Sequence, residues 1–162
     1  MTTTQQPIYP CLWFDNQAEE AMHFYVSVFP NSKAGYVSRY GKNMPAPEGT
    51  AMTAEFELNG QKFMGLNGGP LFKFSEAVSF VIPCQDQAEV DHYWNSLTAD
   101  GGQESQCGWL KDKFGLSWQV VPNALGEMMK GGDAEKSQRM MQALMQMKKL
   151  DISALEKAYN GN

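Results

Sequence analysis

One phrase occurs twice in the chain: Asn16-Gln17-Ala18-Glu19 and, seventy residues on, Asp86-Gln87-Ala88-Glu89. Each copy follows a short apolar run and opens a stretch with helical spacing of apolar residues. Self-similarity at this interval in 162 residues points to two copies of one supersecondary unit rather than a long repeat array. Two copies that face each other can enclose a cavity, and function is expected there.

The first unit is read over 7–68. Residues 8–14 form a strand, with Pro10 at an edge because it cannot donate to a ladder. Asn16 then supplies a helix cap to which Glu19 bonds back. The helix carries Ala18, Ala21, Met22, Tyr25, Val28 and Phe29 on one stripe and ends at Pro30-Asn31. A strand over 34–41 and a Pro- and Gly-containing loop over 42–50 precede a hairpin, 51–58 and 61–67, turned at Asn59-Gly60 by the two-residue signal for positive φ.

The second unit, 74–122, repeats the order. A strand over 76–83 leads to the Asp86 cap and a helix with Ala88, Val90, Tyr93, Trp94 and Leu97, stopped by Asp100-Gly101-Gly102. Short strands follow at 103–105, 106–111 and 116–121, and the charges of Lys111, Asp112 and Lys113 are ordinary for a turn. Residues 123–162 break the pattern as a helical C-terminal extension of a single domain, 1–162. They hold a short helix at 124–130, an amphipathic stretch at 134–148 with Met140, Met141, Leu144, Met145 and Met147, and a terminal helix opened by a capping box at Ser153.

Charge narrows the partners. A formal net charge of −5 with scattered basic residues excludes a nucleic-acid or anionic-membrane surface. No apolar run nears the roughly 20 residues of a membrane span, and Met1 to Gln6 lack the pattern of a signal peptide, so a cytoplasmic protein is expected. Cys11, Cys84 and Cys107 fit neither a disulfide framework nor a metal motif and read as buried free thiols. The Met-rich tail suits a subunit interface, and a homodimer is expected.

The order strand, helix, three strands, twice, resembles the vicinal oxygen chelate superfamily of glyoxalase, bleomycin-resistance and dioxygenase proteins. Leu12-Trp13-Phe14-Asp15-Asn16, Phe24-Tyr25, Phe114-Gly115-Leu116-Ser117-Trp118-Gln119 and Met147-Lys148-Lys149-Leu150-Asp151-Ile152 match its PhnB-like branch, whose members carry the label 3-demethylubiquinone 3-methyltransferase. The resemblance implies an α+β fold of tandem βαβββ units forming a curved mixed sheet. Metal-dependent relatives hold a divalent ion with His and Glu on inner strand positions. Those positions fall here at Pro10, Gly65, Ser79 and Gln119, which are poor ligands, so no metal or other cofactor is expected. His23 and His92 fall on the two helices, outside the sheets. A methyltransferase needs a Gly-rich turn between a strand and a helix. Gly65 to Pro70 instead ends a hairpin strand and reads as a flexible turn.

Strand alternation selects the cavity lining. Turning Gln119 inward also turns Ser117 and Val121; Pro10 brings Leu12 and Phe14, Ser79 brings Val81, and neighbouring strands add Ala54, Phe56 and either Trp109 or Leu110. The resulting site is Leu12, Phe14, Phe56, Ser79, Val81, Trp109 and Gln119, suited to a small apolar or aromatic metabolite oriented by hydroxyl and amide groups. The same residues serve equally as core filling. Glu55 and Glu57 share one parity and face solvent, and no nucleophile-elbow phrase occurs. The expected function is metal-free binding of a small molecule. The alternatives are a lyase, isomerase or dioxygenase with a relocated metal, or the methyltransferase of the family label.

Overall fold

The computed structural model describes residues 6–162, so the N-terminal segment read for targeting lies, except for Gln6, outside the described residues. The elements are β1 (Cys11–Phe14), α1 (Ala18–Val28), β2 (Ser32–Arg39), β3 (Ala51–Leu58), β4 (Gln61–Asn67), β5 (Ser79–Cys84), α2 (Gln87–Thr98), β6 (Gln103–Glu104), β7 (Trp109–Lys111), β8 (Ser117–Pro122), α3 (Asn123–Lys130), α4 (Ala134–Leu144) and α5 (Ile152–Asn160). They form two four-stranded mixed sheets, ordered β1-β4-β3-β2 and β5-β8-β7-β6. The chain divides into two compact units, one ending at Lys73 and the other spanning Phe74–Asn162. No described helix is long and apolar enough to cross a membrane.

In the first unit β1 runs parallel to β4, and the β3–β4 hairpin turns at Asn59 and Gly60 with φ of 48° and 83°. The expected type I′ geometry is therefore present. Helix α1 buries Ala18, Ala21, Met22, Tyr25 and Val28 on one sheet face. Tyr25 packs at a tilt with its ring 5.8 Å from that of Phe56, which lies 5.4 Å from Phe63 and nearly parallel to it. Burying side chains of this size removes about 1.5–3 kcal/mol of unfavourable hydration each, which anchors the helix to the sheet.

The start of α1 differs from its reading. Asn16 does not cap it; Gln17 occupies the cap position without a side-chain bond. The cap comes from β4, where Asn67 Oδ1 accepts from Ala18 N at 2.8 Å while its Nδ2 donates to the Ala51 carbonyl at 3.0 Å. Glu19, freed from a capping box, pairs with Arg39 at 2.8 Å. The second copy follows the local rule: Asp86 accepts from Glu89 N at 2.9 Å, and Glu89 accepts in return from Gln85 N at 2.7 Å. Gly65 and Gly68 are packing glycines rather than a flexible turn. A Cβ on Gly65 would lie 3.1 Å from Ala18 Cβ, and one on Gly68 would enter the Trp13 ring.

In the second unit β5 pairs parallel to β8, with β7 and β6 antiparallel beyond it. Helix α2 buries Val90, Tyr93, Trp94 and Leu97. The β7–β8 turn overturns the reading of Asp112 as an ordinary surface charge. Its side chain is 2 % exposed and accepts from Phe114 N (2.9 Å), Leu116 N (3.1 Å) and Trp118 Nε1 (2.9 Å). A buried carboxylate with three donors aimed at it fixes the turn and the Trp118 ring together.

The extension has its own core of Met140, Leu144, Leu150 and Leu155. It fastens to the rest of the unit through Cys107 N to the Met147 carbonyl (2.7 Å), Gly108 N to the Lys148 carbonyl (2.8 Å), and Gln87, whose amide donates to the Leu150 carbonyl and accepts from Ile152 N. Asp151 caps α5 by accepting from Ala154 N; Ser153, expected as the cap, lies inside the helix. Helix α4 stops at Leu144, so Met147 belongs to the segment that fastens to the turn. Of the thiols, all free, only Cys84 is fully buried, and burial first, then Glu89 and Asp86, push it up to about 12; Cys11 is exposed.

Replacing Asp112 by Ala strands donors in a dry turn and is expected to cost about 2–4 kcal/mol in urea unfolding, with Asp112→Asn, which keeps one acceptor oxygen, losing less.

Candidate functional site

Register sorts the residues of the second sheet by face. In β8, Trp118 and Val120 turn into the core, and Ser117, Gln119 and Val121 therefore share the face away from α2. Pairing extends that face into two rows: Ser79, Ser117 and Lys111, then Val81, Gln119 and Trp109. Four of the expected site residues, Ser79, Val81, Trp109 and Gln119, are thus immediate neighbours. Gln119 Nε2 donates to Ser79 Oγ at 2.9 Å, which leaves the Gln119 carbonyl as an acceptor and the Ser79 hydroxyl proton as a donor. Among the described residues the Trp109 indole N–H has no partner. Ser117, 1 % exposed, carries a hydroxyl with no hydrogen-bond partner among the described residues. Lys111, at the edge of the first row, is neutralised by Glu76 at 2.5 Å, and the same bond holds the Glu76 carboxyl below its usual range. The surface offers hydroxyl, indole and amide groups beside Val81, which is 57 % exposed, and no uncompensated charge.

The other three expected residues belong elsewhere. Leu12, Phe14 and Phe56 are buried on the face of the first sheet that α1 covers, with Phe56 against Tyr25 and Phe14 beside Gly65 and Ala18. A one-residue change of parity moves a whole strand to the opposite face, and in β1 it is Cys11 and Trp13, not Leu12 and Phe14, that turn away from α1. The residues on the face away from α1 are Trp13, Met64 and Leu66, with Glu55 and Glu57 answered by Lys62 (3.7 Å) and Lys33 (3.4 Å). Trp13 meets Phe72 edge-on at 4.9 Å and donates to the Gly69 carbonyl.

The donor set does not fit a divalent metal. Pro10 has no side-chain donor, Gly65 points at α1, and Ser79 and Gln119 are spent partly on each other. His23 and His92 are exposed on α1 and α2. Among the described residues no three His, Cys, Asp or Glu side chains converge as a metal-binding group.

Residues 6–121 match the family model described as 3-demethylubiquinone-9 3-methyltransferase, well over half of the chain. A solved structure of the PhnB protein of Bacillus cereus is 37% identical, covers 72% of this chain and 99% of that one, and superposes with a TM-score of 0.66. The chain belongs to this family. The PhnB-like assignment places it in the vicinal oxygen chelate superfamily, consistent with two more distant likenesses that concern the fold alone. PA1353 of Pseudomonas aeruginosa is 20% identical (TM-score 0.60, covering 73% of this chain and 98% of that one). The fosfomycin resistance protein FosX of Listeria monocytogenes, solved with Mn(II) and a sulfate ion, is 14% identical (TM-score 0.51, covering 83% and 96%). Among curated proteins, none matches. The PhnB-like match ends at the close of β8, so the three-helix extension lies beyond the family model.

Because the Ser79–Gln119 bond is half-buried, a double-mutant cycle of Ser79→Ala and Gln119→Ala is expected to show a coupling of about 0.5–1.5 kcal/mol in chemical denaturation. Strict additivity would mean that the two side chains act independently.

Proposed function

We propose that this PhnB-like protein binds a small, uncharged aromatic metabolite bearing a carbonyl or hydroxyl oxygen, on the face of the second sheet built by Ser79, Val81, Trp109 and Gln119. The observation that carries the reading is the Ser79–Gln119 bond, which presents one free donor and one free acceptor between the Trp109 ring and Val81. Such a surface orients a flat ligand by hydrogen bonds and apolar contact rather than charge. The methyltransferase activity named in the family's description finds little support. Gly65 and Gly68 pack on Ala18 and Trp13, and the segment is followed by a loop and then β5, not by a helix that could receive a nucleotide-like cofactor.

The same reading takes the protein as cytoplasmic and homodimeric. Three free cysteines suit a reducing compartment. Met141 on α4 and Met145 at its C-cap, four residues on, are exposed and give the extension an apolar stripe suited to a subunit contact.

A thermal-shift panel separates the functional readings, since specific stabilisation follows mass action and reaches about 2.7 kcal/mol at a hundredfold excess over Kd. Neutral aromatic ketones, phenols and quinones are expected to raise the melting temperature of the wild type and to lose that effect in Trp109→Ala and Gln119→Ala. Stabilisation by divalent ions alone would replace this reading with an enzyme using a relocated metal, and stabilisation by S-adenosylmethionine would replace it with a methyltransferase. Light scattering is expected to give twice the chain mass, and one chain mass for Met141→Ser combined with Met145→Ser. A single-chain species of the wild type at every concentration overturns the dimer.

A further inference from the structure

The first unit contains a cavity of about 680 Å³ at the start of α1, away from the sheet faces discussed so far. Its walls are the first turn of α1, the end of β2, the loop Pro45-Ala46-Pro47 and the end of β4. The walls are tied to one another. Tyr40 N donates to the Thr50 carbonyl and Gly49 N to the Tyr40 carbonyl, and Arg39 reaches from β2 to both Glu19 and the Gly49 carbonyl. The cavity is therefore a preformed feature of the unit.

Which ligand it fits follows from counting the polar groups that remain free. Apart from the exposed Asn16 amide, the side-chain donors on the lining are largely committed. The Arg39 guanidinium bonds Glu19 at 2.8 and 3.2 Å, Tyr40 Oη donates to the Asn67 carbonyl at 2.9 Å, Asn67 Nδ2 donates to the Ala51 carbonyl, and Thr50 Oγ1 donates to the Pro47 carbonyl. The acceptors are not. The Asp15 carboxylate has no partner among the described residues, and Glu19 keeps lone pairs beyond the two bonds from Arg39. Two carboxylates, Asp15 and Glu19, stand against one guanidinium, so the lining carries a net charge of −1. The positive end of α1 does not reverse this, because Glu19 and Glu20 occupy its first turn. Pro45, Ala46 and Pro47 add an apolar wall.

We propose that this cavity is a second ligand site, which takes a small aliphatic ammonium ion: the ammonium donates to Asp15 and Glu19, and the alkyl chain lies on the Pro45–Pro47 wall. The site is independent of the aromatic-ligand face on the second sheet, since no lining residue is shared.

Calorimetric titration with n-butylammonium, with n-butanol and butyrate as neutral and anionic counterparts of the same shape, tests it. The expected result is saturable binding of n-butylammonium with Kd on the order of 1 mM or below, weakened about three- to fivefold in Asp15→Asn and unchanged in Gln119→Ala. Side-chain amide resonances of Asn16 and Asn67 are expected to shift in the same titration. Asp15 is exposed, so its replacement leaves the fold intact. Butanol binding as tightly as the amine, preference for butyrate, an unaffected Asp15→Asn, or no saturation by about 10 mM would each overturn the proposal. Loss of amine binding in Gln119→Ala would also overturn it, by placing the amine on the other site.

Discussion

The second unit depends on the buried carboxylate of Asp112. Two backbone N–H groups and one indole N–H converge on it, and each would otherwise be an unsatisfied donor in or beside the core. By closing the turn, Asp112 sets the register of β7 against β8. That register places Trp109 beside Gln119 and Lys111 beside Ser117. The site face therefore inherits its geometry from a residue on the turn that never reaches it. The run from Asp112 through Phe114 and Leu116 to Trp118 reads, in these terms, as an acceptor followed at fixed intervals by its own donors.

Asn67 does the corresponding work in the first unit by a different route. One side-chain amide closes the start of α1, bonds the start of β3, and leaves its own backbone carbonyl to Tyr40. The duplicated phrase thus performs two jobs. Its Asp86 copy is a local cap, whereas its Asn16 copy has ceded capping to a residue 49 positions from Ala18, leaving Glu19 free to meet Arg39. Divergence of the two halves shows here as a change from local to long-range bonding, with the helix in the same place.

How much was legible in the sequence depended on whether the signal was local. The Asn59-Gly60 turn, the Asp86 cap and the order of elements rest on neighbouring residues, and they were readable. The face of β8 was readable as well, because Ser117, Trp118, Gln119 and Val120 alternate polar and apolar. Over Ile8 to Phe14 no polar residue marks the solvent side, so alternation could not say whether Leu12 and Phe14 or Cys11 and Trp13 met the core. Leu12 and Phe14 were misplaced for that reason, whereas Phe56 alternates plainly with Glu55 and Glu57, and what the pattern leaves out is that α1 covers its apolar face. The roles of Asn67 and Asp112 depend on partners that a one-dimensional pattern does not pair, although the Trp six residues after Asp112 was a usable hint.

Gly108 is where the extension, the β7 turn and β8 meet. Its N–H is taken by Lys148 and its carbonyl by Val120, its φ is 83°, and Leu150 fills the space beside its α-carbon. Loops between strands are ordinarily where a fold tolerates insertions and deletions. This one has lost that freedom: adding or removing a residue between β6 and β7 would pull Gly108 out of step with a segment forty residues away in sequence. The helical tail has turned a variable connection into one of fixed length, and the evolution of the β6–β7 turn is tied to that of the C-terminus.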